Sequence, residues 1–511
     1  MTSIAYALKE RGVISTANAF YLGDSAGYRD YLDKFDFVYN DTDIFSPDLS
    51  ALDESRVVEL TRKYTNGLNI WNSLFSERAL LQIEQKIYTP PFDYKPEYGR
   101  ALIIKALHHA DLMISKYQPD FIFDISALGL QRAAIYMVAN QNQIPFMLLN
   151  SSNIGRLYTI YDDLEWNSKL IEDKYQNLIN EDNEINACVE GCKAISDLCS
   201  AGSIYIGHSA AASSYKVSKN YNHQSNEKIT IAEKLSQILK FASKKLRLQK
   251  LNYSYKNKNI INYVDNRSSI GRDLIRIFVR RLIEYKNKKI FNSKKFSRLD
   301  KNSKFKKIIY TWHVQPELST SQMAPFHVNQ EIFIQNIARV VPFDAVIIVK
   351  PHPSTIGNVD PRLFQFVRQL PNVYFMDPND SVTELLPECY AVVTLTGTVG
   401  LEALAMGIPT FYFGSPKWRV CRSAKFCQNF EELGDCFRNI ERYIPDRNDV
   451  ACYIQAVIEE SIDLSSDVNV IRKDPQTVPI HVFQEAVENI AKLIIKKLAY
   501  IERLNRFPLQ K

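Results

Sequence analysis

The chain has 511 residues, which predicts two or three domains because single hydrophobic cores stop growing near about 250–300 residues. Hydrophobic residues make up 46% of the chain and charged residues 23%, which excludes a mostly disordered protein. No window approaches the roughly 18–20 consecutive apolar residues of a bilayer-spanning helix, so an integral membrane protein is excluded as well.

The net charge of +6 is distributed unevenly. From Lys216 to Lys307 there are 26 Lys and Arg against 6 Asp and Glu, so this stretch carries +20 and the remainder −14. Its cations alternate with Leu, Ile, Phe and Tyr at spacings compatible with amphipathic helices. The segment could lie on a membrane leaflet rich in acidic lipid or bind a lipid-linked acceptor, or it could be a solvated helical insertion without a partner. We do not expect nucleic acid as a partner.

The N-terminal residues reach charged side chains before any apolar stretch long enough for a signal-peptide core. We therefore expect a cytoplasmic protein, with peripheral association at the inner membrane through residues 216–307. The eight cysteines are expected to stay reduced in that compartment, without disulfides.

Short strands and helices alternate in the first part of the chain. After an opening helix over Ala5–Arg11, we predict strands over Asn18–Leu22, Phe35–Tyr39, Phe121–Ile125 and Pro145–Leu149, and helices over Leu60–Gln85, Tyr98–Tyr117 and Gln131–Gln141. A strand–helix–strand order predicts a parallel sheet covered by helices. Helical, polar sequence then runs from about Leu164 to Lys307.

A second series of the same kind follows. We predict strands over Lys307–His313, Ala345–Lys350, Val373–Met376, Ala391–Leu395 and Thr410–Phe413, and helices over Gln330–Val340, Pro361–Leu370, Val382–Leu386, Leu401–Met406 and His481–Leu504. The fold class is therefore α/β, with two Rossmann-like doubly wound domains facing a cleft and a basic helical insertion. The predicted domains are an N-terminal domain over residues 1–165, a basic linking region over 166–306, a C-terminal domain over 307–470 and a C-terminal helix over 471–511.

A lysine and a histidine follow the buried strand that ends near Val349. The segment reads Lys350-Pro-His352-Pro353, and ligands of open α/β sheets bind at the carboxyl ends of strands. Lysine supplies a point charge and histidine a directed donor, so the motif predicts anion recognition. The alternative is a structural histidine at a strand end.

Threonine and glycine residues connect another strand to the helix at Leu401. Thr396-Gly397-Thr398 would bring backbone N–H groups and hydroxyls to the start of that helix, which predicts a phosphate or anion cradle. Glu402 could accept hydrogen bonds from a ribose or sugar hydroxyl, or it could merely favour the helix dipole.

A dense group of hydrogen-bonding residues follows the strand at Tyr310. It contains His313, Gln315, Glu317, Ser319 and Thr320. Polar loops at a strand end point to binding or catalysis more than to folding. Glu317 could be a base, a nucleophile or a ligand of sugar hydroxyls. Alternatively, Ser319 and Thr320 simply start a helix.

Together these motifs resemble the bacterial capsular and surface polysaccharide biosynthesis family. Its members are GT-B glycosyltransferases and include the Kdo (3-deoxy-manno-octulosonic acid) transferases of capsule and lipopolysaccharide assembly. The similarity covers Tyr310–Trp418, and the first half matches loosely through Asp124, Ile144-Pro145 and Ser151–Arg156. The chain departs from the commoner family pattern in three places. In Lys350-Pro-His352-Pro353, family members often have an acidic residue before the histidine. Arginine is typical at the position of Asn153, and the basic insertion is long.

The resemblance implies transfer of a sugar from a nucleotide donor, often CMP-linked and Kdo-like, to a capsule or lipopolysaccharide glycan. It implies no metal and no cofactor other than the donor substrate. It implies nucleotide binding by His352, Pro353, Thr396, Gly397 and Thr398, to which the arguments from charge and helix position add Lys350 and Glu402. From their hydrogen-bonding groups, we assign His313, Gln315, Ser319, Thr320 and Arg156 to the donor or acceptor sugar.

The N-terminal domain would supply acceptor contacts and a second carboxylate. Asp124 closes a predicted strand and is a catalytic candidate beside Glu317, or it caps the following helix. Arg156 could bind a carboxylate or phosphate through two hydrogen bonds. Two other functions stay open: a UDP-sugar-using GT-B transferase or epimerase, and a non-catalytic component of polysaccharide assembly.

Overall fold

The computed structural model describes most of the chain in twelve stretches. These are residues 2–21, 35–40, 54–64, 70–75, 96–125, 129–180, 188–201, 281–290, 303–315, 317–356, 359–464 and 479–506. Within them, no helix is both long enough and apolar enough to cross a bilayer.

The first half of the described chain contains seven helices and five strands. The helices are α1 (Thr2–Glu10), α2 (Glu54–Tyr64), α3 (Ile70–Phe75), α4 (Pro96–Tyr117), α5 (Leu130–Gln141), α6 (Lys169–Asn180) and α7 (Val189–Ala201). The strands are β1 (Asn18–Tyr21), β2 (Phe37–Asn40), β3 (Ile122–Asp124), β4 (Phe146–Ser151) and β5 (Leu157–Tyr161). Residues 281–290 are helical as well.

The second half is built in the same manner from residue 306 onward. Its strands are β6 (Lys306–Trp312), β7 (Ala345–Pro351), β8 (Val373–Phe375), β9 (Cys389–Thr394), β10 (Thr410–Tyr412), β11 (Lys425–Phe426) and β12 (Ile462–Asp463). Its α-helices are α8 (Leu318–Ser321), α9 (Gln330–Val340), α10 (Pro361–Arg368), α11 (Val399–Ala405), α12 (Phe430–Arg438), α13 (Arg447–Glu459) and α14 (Ile480–Arg506).

Six parallel strands form the sheet of the second lobe, in the order β8-β7-β6-β9-β10-β11. Counted from the first strand of the lobe this is 3-2-1-4-5-6, the order of a doubly wound dinucleotide-binding fold. All seven residues of β7 are buried, as expected of a parallel strand covered on both faces. The strand order reverses between β6 and β9, and ligands of such folds bind in the crevice at that reversal.

The first lobe is organised around a four-stranded sheet in the order β12-β5-β4-β3. β3 and β4 are parallel, β5 is antiparallel to β4, and β12 is antiparallel to β5. β12 follows α13, so the chain returns from the second lobe to the first before residue 464. The long helix α14 then packs on this sheet, where Ile490 and Ile494 join a buried cluster with Met147 and Leu149.

The α/β class and the two lobes predicted from the sequence are confirmed, and most predicted elements lie within a few residues of the observed ones. Helix Gln330–Val340 has the predicted bounds, and the short helix α11 ends before Gly407, whose φ of +76° favours glycine. The helix predicted over Val382–Leu386 is wrong, because turns lead there into a 3₁₀ segment at Leu386–Glu388. Strand β5 and helices α12 and α13 were not predicted. The predicted helix Leu60–Gln85 lies partly outside the described residues.

Candidate functional site

Three loops meet at the carboxyl edge of the second lobe's sheet. They follow β6, β7 and β9, and β6 is hydrogen-bonded to both of the other strands. The backbone N–H of His352 donates to the carbonyl of Trp312 at 3.2 Å. On the other side, His313 Nε2 lies 3.4 Å from Thr394 Oγ1. The motifs that lie far apart in the sequence therefore surround His313 at the reversal of strand order.

His313 is held by a buried amide that the sequence did not single out. Gln330 Oε1 accepts the His313 backbone N–H at 2.7 Å, and Gln330 Nε2 donates to the His313 carbonyl at 3.0 Å. Tyr310 donates its hydroxyl to the same Oε1 atom at 2.9 Å. Burial, together with the nearby His352, lowers the pKa of His313 to about 4, so its imidazole is neutral at physiological pH.

The loop after β9 approaches His313 closely. Gly397 donates its backbone N–H to Thr394 Oγ1 at 3.0 Å. A Cβ atom at Gly397 would lie 2.8 Å from Thr394 Oγ1 and 3.1 Å from Thr311 Oγ1, so only glycine fits this position without movement. Thr396 Oγ1 donates to the carbonyl of Ser319 at 2.9 Å, which ties this loop to the loop after β6.

Backbone donors remain available on the same loop. Among the described residues, no acceptor is found for the backbone N–H groups of Thr398 and Val399, and Thr398 is exposed. Glu402 is 6% exposed and its carboxylate has no hydrogen-bond partner within the described part of the chain. Burial raises the pKa of Glu402 to about 7. A buried carboxyl group without a donor is suited to a ligand that supplies hydroxyl groups.

The loop after β7 presents its histidine to solvent. His352 is exposed at the rim of the site, while desolvation and the neighbouring Lys350 cation lower its pKa. Pro353 opens a 3₁₀ turn that runs to Thr355, whose N–H and hydroxyl both donate to the His352 carbonyl, at 2.9 and 2.6 Å. The turn fixes the backbone of His352 and leaves its ring accessible.

Lys350 points elsewhere. Its Nζ donates to the carbonyl oxygens of Pro378 at 2.7 Å and Pro351 at 3.2 Å, so the side chain supports the loop after β8. Burial lowers the pKa of Lys350 to about 8, an effect that Asp377 and Asp380 partly offset. These contacts favour a structural role over the predicted contact with a nucleotide.

The polar residues after β6 contact one another. Glu317 Oε2 accepts a hydrogen bond from Ser319 Oγ at 3.0 Å, and the carbonyl of Glu317 accepts the hydroxyl of Thr320 at 3.1 Å. Thr320 is fully buried, whereas Glu317 and Ser319 are half-buried. Gln315 donates its side-chain amide to the carbonyl of Val328. Glu317 is thus only partly exposed, on the loop after β6.

The two candidates from the first lobe have partners within that lobe's sheet region. Asp124, at the end of β3, accepts the backbone N–H of Ile125 and forms an ion pair with Arg132, both at 2.7 Å. Arg156 pairs with Asp463 of β12 at 3.3 Å. These contacts favour the structural alternative for Asp124 and give Arg156 a carboxylate of the protein itself.

The lobes meet through residues that the sequence did not flag. Met323, just after α8, packs in a cluster with Phe146 and Tyr161 of the first lobe. From the loop after β10, Lys417 Nζ donates to Asn150 Oδ1 at 3.0 Å, at the carboxyl end of β4. The two lobes are thus in direct contact around β4 and β5 of the first lobe. Lys417 carried no local signal in the sequence.

The fold and the site define a two-lobed α/β protein with a polar site at the strand-order reversal of its doubly wound second lobe. Residues 219–421 match the family model described as "Capsule polysaccharide biosynthesis protein". This range contains all three motifs. The resemblance to that family, predicted from the motifs, is confirmed over these residues.

Several solved structures resemble the fold at low identity. A β-Kdo 2,7 transferase, KpsC of Thermosulfurimonas dismutans, is 11% identical, with a TM-score of 0.34 over 71% of this chain and 87% of that chain. The β-Kdo 2,4 transferase KpsC of the same organism is 10% identical, with a TM-score of 0.31 over 66% of this chain and 80% of that chain. UDP-GlcNAc 2-epimerase of Neisseria meningitidis, bound to UDP-GlcNAc, is 12% identical, with a TM-score of 0.27 over 75% of this chain and 88% of that chain. Likenesses at this level carry no information on donor or acceptor. No curated protein sequence matches the chain.

Proposed function

We propose that this chain is a glycosyltransferase of GT-B type that moves a sugar from a nucleotide donor, CMP-linked and Kdo-like, onto a capsule or lipopolysaccharide glycan. The observation that carries the proposal is the meeting of His313, His352 and the Thr396–Thr398 loop at the carboxyl ends of adjacent strands. That position is where doubly wound folds bind nucleotides. The family match over residues 219–421 supports a role in polysaccharide synthesis.

Each group then has a role in the proposed reaction. His352 and the N–H groups of Thr398 and Val399 bind the donor phosphate, and Glu402 accepts hydroxyls of the nucleotide or sugar. Donors of this kind stabilise the charge that develops on the departing phosphate, which is how a transferase can work without a metal ion. The neutral imidazole of His313 adds no charge to the site, because its pKa is about 4.

Glu317 is the proposed catalytic carboxylate. It is half-buried, and Ser319 Oγ donates to it at 3.0 Å. A base must come within hydrogen-bond reach of the acceptor hydroxyl, and Glu317 lies on the loop that borders the site. Asp124 is the second candidate, although the Ile125 N–H and Arg132 bind its two carboxylate oxygens.

Turnover of a panel of CMP- and UDP-linked sugars, with transfer to a glycan acceptor as the readout, tests the proposal. Glu317→Gln should abolish turnover while nucleotide binding persists. Asp124→Asn, the matched comparison, tests the second catalytic candidate in the same assay. Stabilisation follows ligand affinity, so the midpoint of thermal unfolding should rise with CMP and not with UDP. The reverse preference would favour the UDP-sugar alternatives, and release of an epimerised sugar without acceptor would identify an epimerase.

A non-catalytic assembly component is distinguished by genetics rather than binding. Such a protein would support glycan synthesis in cells when it carries His352→Ala or Glu317→Ala. Loss of the glycan with either variant, at wild-type protein levels, would exclude that alternative.

We also propose peripheral association with the inner membrane through the basic segment 216–307. Of this segment the structure describes 281–290 and 303–307. In the helix over 281–290, Leu282 and Tyr285 are 43% and 65% exposed beside the exposed Lys286 and Lys289. An exposed face of cations with Leu and Tyr is suited to an anionic bilayer surface.

Flotation with vesicles of phosphatidylcholine, with and without phosphatidylglycerol, tests this association. Each cation near an anionic surface contributes about 1 kcal/mol, so the double variant Lys286→Gln with Lys289→Gln should bind roughly 30-fold more weakly. Arg438→Gln, an exposed cation on α12, is the control and should bind as the wild type does. Equal binding to uncharged vesicles would contradict the electrostatic mechanism.

A further inference from the structure

Lys417 occupies an unusual position at the contact between the lobes. It lies between β10 and β11, and its Nζ donates to Asn150 Oδ1 at 3.0 Å and to the carbonyl of Ser151. The same Nζ stands 4.3 Å from the ring centre of Trp166 and 5.3 Å from that of Tyr161. All four partners belong to the first lobe.

These partners are neutral, and no carboxylate pairs with Lys417 among the described residues. Burial lowers the pKa of Lys417 to about 7. Burying an amine among neutral groups is costly, and an apolar side chain would serve better if packing were its only role. The two directed hydrogen bonds, in contrast, fix one orientation of the partner loop.

The backbone that carries Lys417 is fastened to the nucleotide loops. Gly414 donates to the carbonyl of Leu395 at 3.1 Å, and Ser415 to that of Met323 at 2.9 Å. The indole of Trp418 donates to the carbonyl of Gly397 at 3.2 Å. A displacement of residues 414–418 would therefore be transmitted to the loop after β9.

The other end of the contact is the loop after β4. Asn150 and Ser151 end that strand, and the chain then turns through Asn153, which has a φ of +67°. Asn153 donates its backbone N–H to Ser151 Oγ at 3.2 Å, so this turn depends on the residue whose carbonyl Lys417 binds. The turn follows the carboxyl end of β4, and Ile154, the residue after Asn153, packs in a cluster with Leu401 and Trp418 of the second lobe.

We propose that Lys417 is a positioning residue that fixes the loop 150–153 of the first lobe against the nucleotide-binding loops of the second. The inference rests on the proposed function, together with the expectation from the sequence that the N-terminal domain supplies acceptor contacts. Lys417 acts through Asn150 and Ser151 and does not itself contact the reacting atoms. Its loss should separate acceptor positioning from nucleotide binding.

Amide hydrogen exchange of the full-length protein tests the proposal without an activity assay. In Lys417→Met, exchange in peptides covering 150–153 should accelerate about tenfold or more, while peptides of the second lobe's sheet keep wild-type rates. Lys307→Met is the control, since Lys307 is also buried but pairs with Glu388 at the opposite edge of the sheet. Unchanged exchange at 150–153, or a uniform increase over the chain, would overturn the proposal.

Kinetics give the second readout. Lys417→Met should bind the nucleotide within about twofold of wild type, yet kcat should fall by about tenfold to a hundredfold, the usual cost of misplacing a reactant by an ångström. Lys417→Arg, which keeps the donors, should recover part of the loss. Equal losses in both variants, with weakened nucleotide binding, would assign Lys417 a merely structural role.

A double-mutant cycle covers the case in which Lys417→Met does not fold. Asn150→Ala removes the acceptor from the other lobe and should accelerate exchange at residues 151–153 by itself. Combined with Lys417→Gln, which shortens the side chain and removes its charge, its effect on exchange should be less than additive, because both changes weaken one contact. Strict additivity would refute the contact. If the wild type transfers no sugar from any donor, the proposed function fails, and the exchange results still decide the role of Lys417.

Discussion

Glu402 provides a prediction in which stability and binding change in opposite directions. Its carboxyl group is buried in α11, without a hydrogen-bond donor among the described residues, and its pKa is raised from 4.5 to about 7. The folded state therefore binds more protons than the unfolded state between those pH values. The favourable contribution of the protonated carboxyl is fully present below about pH 4.5 and is lost as the pH rises through 7.

The substitution Glu402→Gln removes the charge and keeps the shape. The pKa shift of Glu402 corresponds to at most about 3 kcal/mol in the free energy of unfolding at pH 8. For an unfolding unit of 150–250 residues this raises the midpoint of thermal unfolding by up to roughly 10 °C, whereas at pH 4.5 the midpoint should hardly change. Glu431→Gln is the control, since Glu431 lies in the first turn of α12 but is exposed.

The same variant should bind its nucleotide ligand more weakly. A hydrogen bond to a charged group contributes about 1.5–3 kcal/mol, so titration calorimetry with CMP or a CMP-sugar should give a Kd that is about 10- to 100-fold higher. Equal stabilisation at pH 4.5 and pH 8 would refute burial as the cause of the raised pKa. Stabilisation without loss of affinity would refute Glu402 as a ligand of the nucleotide or sugar.

Three further outcomes are expected. His352→Ala should raise the nucleotide Kd at least about tenfold in calorimetry, with little change in the unfolding midpoint because the side chain is exposed; an unchanged Kd would remove His352 from the site. Gly397→Ala, whose Cβ would lie 2.8 Å from a neighbouring hydroxyl oxygen, should abolish stabilisation by nucleotide, whereas Gly407→Ala, at a φ of +76°, should cost about 1 kcal/mol of stability and spare binding. Gln330→Ala should lower the free energy of unfolding by about 1–3 kcal/mol, because it leaves the backbone of His313 unpaired. It should weaken nucleotide binding as well, and wild-type binding would show that Gln330 does not position the site.

Much of the second lobe was predictable because its signals are local. The unbroken apolar run Ala345–Val349 can only be a fully buried strand or helix, and its length and β-branched residues favour the strand. Asp360 before Pro361 marks the start of α10, where the Asp360 side chain accepts the N–H of Arg362. The helix predicted over Val382–Leu386 failed because a short apolar window cannot distinguish a helical turn from a loop that packs on the core.

Of the candidate site, too, only the parts with a local sequence pattern were predictable. Motif spacing placed His352 and the Thr396–Thr398 loop at strand ends, since a strand followed by glycine, proline and polar residues has a recognisable pattern. It could not show that Lys350 turns toward Pro378, because that carbonyl lies 28 positions away in the sequence, on the loop after a neighbouring strand. Gln330 also escaped notice, as a glutamine at the start of a helix is ordinary until its amide is seen against His313.

The sequence by itself determined the α/β class, most of the strands, the family resemblance and the uneven charge, because all of these depend on neighbours along the chain. The tertiary structure decided the strand order, the return of β12 to the first lobe and the contact from Lys417 to Asn150. Those features join residues separated by tens to hundreds of positions, and no local periodicity specifies such pairs. They arise only when hydrophobic burial brings the two sheets together and leaves particular polar groups facing each other.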